Sequence, residues 1–167
     1  MTTITARLFE YNELKNRLNR QEGIAVFSCD NCARRCHGLG GQEGLTALAD
    51  KLIEDGFPVV CQGLFRALCS RKLLRAWLED KECQASLGQI GVIIPLACQA
   101  GAALVRELFP ACTVLEVTKT LGTGVTRPET GVRLVKPEKG LGLDVDEAQG
   151  MSLEEAVSRL GLYAGHF

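Results

Sequence analysis

Three cysteines stand in one short loop, Cys29-Asp-Asn-Cys32-Ala-Arg-Arg-Cys36, and glycines follow at 38, 40 and 41. Thiolates at spacings of two and three residues can surround one metal centre at little entropic cost, because a single loop carries them. The Asp-Asn and Ala-Arg-Arg spacers are turn chemistry. A tetrahedral zinc or a [4Fe-4S] cluster needs a fourth ligand. Short apolar runs end at Cys61 and Cys98, and Cys61 is the first choice, Cys98 the second. His37, beside Cys36, offers a Cys3His alternative. A metal site built from Cys29, Cys32, Cys36 and Cys61 is therefore expected, with iron-sulfur favoured over zinc because no second close cysteine pair of the zinc-ribbon kind is present. Cys69, Cys83 and Cys112 read as structural.

Other cysteine chemistry fits less well. Haem attachment needs two residues between its cysteines before His, whereas Cys32 and Cys36 enclose three. A thioredoxin-type pair needs its first thiol at a helix N-terminus, and here Cys36 and the glycines interrupt the expected helix. Gly38, Gly40 and Gly44 miss the dinucleotide-binding spacing by one residue, and no acidic ribose ligand closes the second strand. Leu121-Gly-Thr-Gly124 reads as a turn. Arg34 and Arg35 would either offset a cluster's negative charge or form a solvated loop face. The two histidines, His37 and His166, make no nucleophile-and-base constellation.

The elements that must hold these residues are short apolar strands alternating with amphipathic helices. Ile24 to Cys29, Pro58 to Cys61, Gln89 to Cys98 and Thr113 to Val117 read as strands. Leu45, Leu48, Ala49, Leu52 and Ile53 recur at helical spacing, as do Leu64, Leu68, Leu73, Leu74, Trp77 and Leu78, and Ala102 to Phe109 forms a third such stretch. This alternation predicts right-handed crossovers and a mainly parallel sheet, an α/β domain of three layers, flavodoxin-like or Rossmann-like. In such sheets ligands bind beyond the carboxyl ends of the strands, where strand-end cysteines would meet. The expected organisation is an N-terminal helix region over 1–22, with Tyr11 to Asn19 helical, then a cysteine-bearing domain over 23–122. An extended Gly/Pro-rich tail over 123–167 follows, with a short helix from Ser152 to Leu160.

With 167 residues, 46% of them apolar, the chain has material for one ordinary core. Nineteen basic against 20 acidic residues leave a net charge of −1, which supplies no field for nucleic acid or anionic lipid. Neither partner is expected. Without a signal-like or membrane-spanning apolar run, a cytoplasmic location is expected, and there clustered thiols act as ligands or redox groups.

Three segments together, Ile24 to Gly41, Val59-Val-Cys61 and Ile94-Pro-Leu-Ala-Cys-Gln-Ala-Gly101, make the sequence resemble the small cysteine-rich partner subunit of methylenetetrahydrofolate reductase. That domain is also seen as the C-terminal extension of longer reductase chains. The likeness covers roughly 10–124. It implies a non-catalytic, cluster- or zinc-bearing subunit of a hetero-oligomer, docked on a flavin-containing barrel-type subunit and delivering electrons toward methylene-tetrahydrofolate. It matches Cys29, Cys32, Cys36 and Cys61 to the family's N-terminal cysteine set, and Cys98 to its third-strand cysteine. Members usually carry a second cysteine-rich segment that these 167 residues do not contain.

Overall fold

The computed structural model describes residues 1–81 and 84–167. In chain order the elements are β1 (Thr2–Arg7), α1 (Tyr11–Lys15), β2 (Gly23–Cys29), α2 (Cys32–Arg35), α3 (Gly41–Glu54), β3 (Val59–Phe65), α4 (Arg71–Glu79) and α5 (Lys81–Leu87). These are followed by β4 (Ile90–Leu96), α6 (Gln99–Leu108), β5 (Thr113–Val114), β6 (Thr118–Arg127), β7 (Gly131–Pro137), β8 (Met151–Ser152) and α7 (Leu153–Leu160). They make an α/β fold with two four-stranded sheets.

One sheet is parallel, in the order β3-β2-β4-β5. Its central strands are apolar along their length because both faces are covered. Ala25 and Phe27 of β2 and Ile93 of β4 pack with Leu68, Leu74, Leu104, Val105 and Phe109 on the side of α4 and α6. Ile24 and Val26 of β2 and Ile94 of β4 pack with Leu14, Leu45, Leu48 and Leu52 on the side of α1 and α3. Phe27 is the hub of the first face, edge-on to Phe65, Trp77 and Phe109 with ring centroids 5.1–5.5 Å apart. From β2 the chain crosses to β3 on one side, then returns past β2 to β4 on the other. Right-handed crossovers require the helices of these two connections to lie on opposite faces, as they do.

The second sheet is antiparallel, in the order β1-β6-β7-β8, and the sequence reading had no place for it. β6 runs across the boundary expected between 122 and 123, so the segment taken for an extended tail is instead a hairpin joined by β8 and packed under α7. Leu121, Val132, Leu134, Met151, Leu153, Ala156 and Val157 share one core with Ile4 and Ala6 of β1. Leu121-Gly-Thr-Gly124 is strand, not turn, because its glycines let β7 come close. A Cβ on Gly122 would stand 2.0 Å from the Lys136 carbonyl oxygen, and one on Gly124 2.1 Å from that of Arg133. Glycine inside a strand marks this kind of backbone approach, and the β6–β7 register shifts between Thr123 and Gly124.

Other expectations needed smaller correction. The N-terminal helix is only Tyr11–Lys15, opened by a capping box between Glu10 and Glu13, and β1 precedes it. The second strand continues four residues past Cys61. Gly63 and Phe65 are buried between exposed Gln62 and Leu64, which is the alternation of a strand at a sheet edge. The terminal helix forms as expected, with the Ser152 hydroxyl accepting the Glu155 amide. Among the described residues no helix is long and apolar enough to cross a membrane.

The two sheets meet at the carboxyl edge of the parallel one. Thr118 Oγ1 of β6 donates to the Ala97 carbonyl at 2.5 Å, and Thr120 Oγ1 accepts the Gln99 amide at the start of α6 at 2.9 Å. The buried guanidinium of Arg7 in β1 donates to the carbonyls of Phe9, Ala164 and Gly165 and lies over the rings of Tyr163 and Phe167.

Candidate metal centre

The order of the parallel strands reverses between β2 and β4, and the crevice beyond their carboxyl ends is where such sheets bind ligands. Cys29 is the last residue of β2. Two residues past the end of β4, Cys98 caps α6. Cys32 opens the short helix α2, and Cys36 caps its end. Gly40 then brings the loop back onto the strands. Its position lies against the Cys29 and Leu96 carbonyls, where a Cβ would come within 2.6 and 3.2 Å. The buried Ser28 hydroxyl donates to the Gly41 carbonyl at 3.0 Å and pins the start of α3 beside it. His37, at φ 52, makes the left-handed step between α2 and the glycines.

Four of the five expected cysteines are thus at one edge; Cys61 is not. Phe65, not Cys61, pairs with Cys29, and Cys61 pairs with Ala25. Four residues at strand rise place it about 13 Å back from the edge, against the core of the α4 face. As a fourth ligand it is too far down its strand. Because β3 is longer than expected, the cysteine at its loop end is Cys69, read from sequence as structural. The ideal Cβ of Gly101 in α6 would lie 3.7 Å from the Cys69 amide nitrogen, so this loop abuts the turn that Cys98 caps. His37 Nδ1 lies 3.1 Å from a carboxylate oxygen of Glu154 on α7. Cys112 is structural, its thiol donating to the Ile90 carbonyl. Cys83 lies outside the described residues.

Electrostatics tie the thiols together. Burial pushes the Cys98 thiol up, the amides of Gly101 and Ala100 at the start of α6 oppose that, and negative charge on Cys32 or Cys29 raises it further. Burial likewise raises Cys36, opposed by the Thr5 amide and hydroxyl and reinforced by Cys32 and Cys98. Cys69 is raised by burial and then by Cys98, Cys29 and Cys32. Cys32 goes the other way. Its burial is outweighed by the Thr2 hydroxyl, the Thr3 amide and hydroxyl and the charge of Arg35, which hold the thiol below its ordinary value. Arg35 therefore takes the charge-offsetting part, while Arg34 pairs with Asp30 at 3.5 Å.

The second sheet supplies what the sequence reading missed. The Thr5 amide of β1 donates to Cys36 Sγ at 3.3 Å, and as a thiol Cys36 donates in turn to the Cys32 carbonyl at 3.3 Å. The hydroxyls of Thr2 and Thr5 are buried without a nitrogen or oxygen partner, and their effect is on the cysteines, Thr2 holding the Cys32 pKa down and Thr5 opposing the rise at Cys36. A neutral thiol accepts hydrogen bonds weakly and a thiolate strongly. The Thr5 amide and the threonine hydroxyls of β1 are donors of the kind that charged, ligated sulfur at Cys32 and Cys36 would use. Among the described residues no group of three or more His, Cys, Asp or Glu side chains is placed to hold a metal ion. Beside Cys98, a cleft of about 410 Å³ between β6 and α6 is lined by Thr3, Gln99, Ala103, Thr120 and Glu138. No family model, curated protein or solved structure matches the chain.

Proposed function

We propose that the chain is an iron-sulfur electron-transfer subunit, with Cys29, Cys32, Cys36 and Cys98 holding a [4Fe-4S] cluster, that docks on the flavin-containing barrel-type subunit of a methylenetetrahydrofolate reductase-type complex. The observation that carries the reading is the gathering of these four cysteines at one sheet edge, where Cys32, Cys36 and Cys98 each face backbone amide donors. Amides aimed at sulfur are what ligating thiolates require of their surroundings. The bound cluster would supply one-electron chemistry. The residues of the chain hold it, and the two packed sheets keep bulk water from Cys29 and Cys36, which are 3% and 0% exposed. The reductase assignment rests on the likeness of 24–41 and 94–101 to the small partner subunit. The flavodoxin-like fold belongs to the same proposal, supported by the strand order β3-β2-β4-β5, with β2 inside and the second crossover reversing direction.

Anaerobically purified protein, assayed for iron, sulfide and zinc and scanned in the visible before and after dithionite, tests the reading. Iron and sulfide near four per chain with colour that bleaches on reduction are expected. Stoichiometric zinc without colour refutes the cluster and leaves a structural metal of the kind that supports a fold. Absence of any metal leaves a thiol-redox protein. Co-purification with a flavoprotein tests the complex separately.

A further inference from the structure

We infer that the seam between β6 and α6 is a binding groove for a mononucleotide, with the phosphate held by Lys119 and Lys139, the ribose beside Glu138 and Thr120, and the base against Ala100 and Ala103. This goes beyond the electron-transfer reading and does not depend on it, since no metal, thiol or partner subunit enters the argument.

Two adjoining clefts make up the groove. The first, of about 450 Å³, is lined by Lys119, Lys139 and Glu116 among others. The second, of about 410 Å³, is lined by Ala100, Ala103 and Gly122 among others. Gln99, Thr120 and Glu138 line both, so the clefts are continuous and these three residues stand at the junction. Each volume falls in the range of small-molecule sites, about 300–1,000 Å³. The walls are fixed. Thr118 Oγ1 donates to the Ala97 carbonyl and Thr120 Oγ1 accepts the Gln99 amide, which holds β6 to the start of α6. The Glu138 amide donates to the Leu121 carbonyl at 2.8 Å, and the turn that follows closes with the Leu141 amide on the Glu138 carbonyl at 3.4 Å. Gly140, at φ 86, supplies the positive φ that the third position of such a turn requires. A groove already held open loses little ordering entropy when a ligand enters.

Charge sets the direction in which a ligand lies. Glu116 is paired with Arg106 of α6, whereas Lys119, Lys139 and Glu138 enter no ion pair among the described residues. Both lysines belong to the first cleft alone and Glu138 to the junction. An anionic group is therefore drawn to the lysine end and repelled from the middle. An ionised carboxylate only accepts hydrogen bonds, so Glu138 suits a hydroxyl-bearing group, and carboxylates bind ribose hydroxyls in this way. Thr120 meets the Gln99 amide with a lone pair, which keeps its own proton for an oxygen of the ligand. The second cleft has no charged side chain apart from Glu138. Ala100 and Ala103, three residues apart on one face of α6, present methyl groups to it, and Thr3 and Thr123 line it with hydroxyls for the polar edge of a ring. Anion, diol and flat ring, in that order, describe a nucleoside 5′-monophosphate. A sugar phosphate lacks the third part, and inorganic phosphate the last two.

Isothermal titration calorimetry of the full chain as purified, with AMP, GMP, CMP and UMP in turn, tests the inference against ribose 5-phosphate and inorganic phosphate. At least one mononucleotide is expected to bind about 10-fold tighter than ribose 5-phosphate, through burial of the base. Lys119→Gln and Lys139→Gln are each expected to weaken it about 5-fold, equivalent to about 1 kcal/mol for an exposed charge pair. Ala103→Leu fills the second cleft from an exposed position and is expected to bring the nucleotide down to the level of ribose 5-phosphate. Lys72→Gln, on α4 and outside the groove, is expected to leave binding unchanged. Failure of all four nucleotides to bind overturns the inference. Ribose 5-phosphate binding as tightly as every nucleotide also overturns it, because the second cleft then holds no base. Equal weakening by Lys72→Gln overturns it by making the effect a general attraction of anions to the surface. None of these results bears on iron, sulfide or zinc content, so the metal reading stands or falls separately.

Discussion

Gly40→Ala puts a methyl group into the tightest point of the cysteine loop. The backbone there is extended, at φ −112 and ψ −156, so any residue can adopt it and no conformational strain arises. The cost is steric alone. The new Cβ would lie 2.6 Å from the Cys29 carbonyl oxygen, 2.7 Å from the Ala33 Cβ and 3.2 Å from the Leu96 carbonyl oxygen. Two of these three are backbone atoms of adjacent central strands, which cannot rotate aside, and Ala33 has no rotamer to change. Overpacking of this kind costs about 1–3 kcal/mol, roughly a 5- to 150-fold change in the unfolding equilibrium. With an m-value of about 2 kcal/mol/M, the urea midpoint should drop by about 0.5–1.5 M. The alternative relaxation is for the loop to lift from the strands, which would carry Cys32 and Cys36 away from Cys29 and Cys98 and lower metal content. Gly88→Ala is the control, since a Cβ there has no atom within 4 Å. Urea denaturation followed by circular dichroism, together with metal analysis, reads both effects. A Gly40→Ala protein with wild-type midpoint and wild-type metal content would refute the reasoning.

Cys98→Ser is expected to strip the metal and Cys61→Ser to leave it in place; metal retained in the first, or lost in the second, reverses the assignment of the fourth ligand. In metal-free protein Cys32 should form thiolate at lower pH than Cys36, Cys69 or Cys98, because its neighbours lower its pKa while those three are raised. Mass-spectrometric mapping of iodoacetamide labelling across pH 6 to 9 checks this, with Cys69 as the sharper comparison because it is exposed. The sign for stability follows: a thiol whose folded pKa lies below its unfolded value adds stability at pH above the unfolded value, and that contribution fades as pH falls through the folded one. Ser152→Ala removes the hydroxyl that caps α7 and should cost about 1 kcal/mol in urea denaturation. Phe27→Leu opens the ring cluster with Phe65, Trp77 and Phe109 and should cost more than the cap.

The parallel sheet was legible because continuous apolar runs and helix-spaced leucines are strong signals, and the cysteine loop because its spacing and glycines have few other uses. Cys61 was misplaced for a definite reason. Gln62-Gly63 interrupts the apolar run, yet an edge strand alternates, so β3 continues to Phe65 and the cysteine at its loop end is Cys69. The second sheet was hidden by Gly122, Gly124 and Gly131, which composition assigns to loop. Two of them exist because another strand's backbone passes too close for a side chain. Thr2-Thr3-Ile4-Thr5 carried a signal that could have been used, a β-branched run with strand preference. That its outer edge faces sulfur is a tertiary fact, and no local pattern encodes it.

The pairing of β1 with β6 has a consequence for how the proposed centre would be made. Thr2 meets Gly124 and Thr5 meets Thr120, so the whole parallel sheet lies between the two strands in sequence. Closing so long a loop is entropically slow compared with forming the crossovers inside it. During synthesis, at about 5–20 residues per second, the cysteine loop leaves the ribosome several seconds before β6 does. The three loop thiols and then Cys98 can therefore gather while β1 is still unpaired. Metal delivered in that interval would enter an open site, and pairing of the first strand with the sixth would then seal it. Assembly of the proposed centre and completion of the second sheet would in this way be ordered in time by the connectivity of the chain.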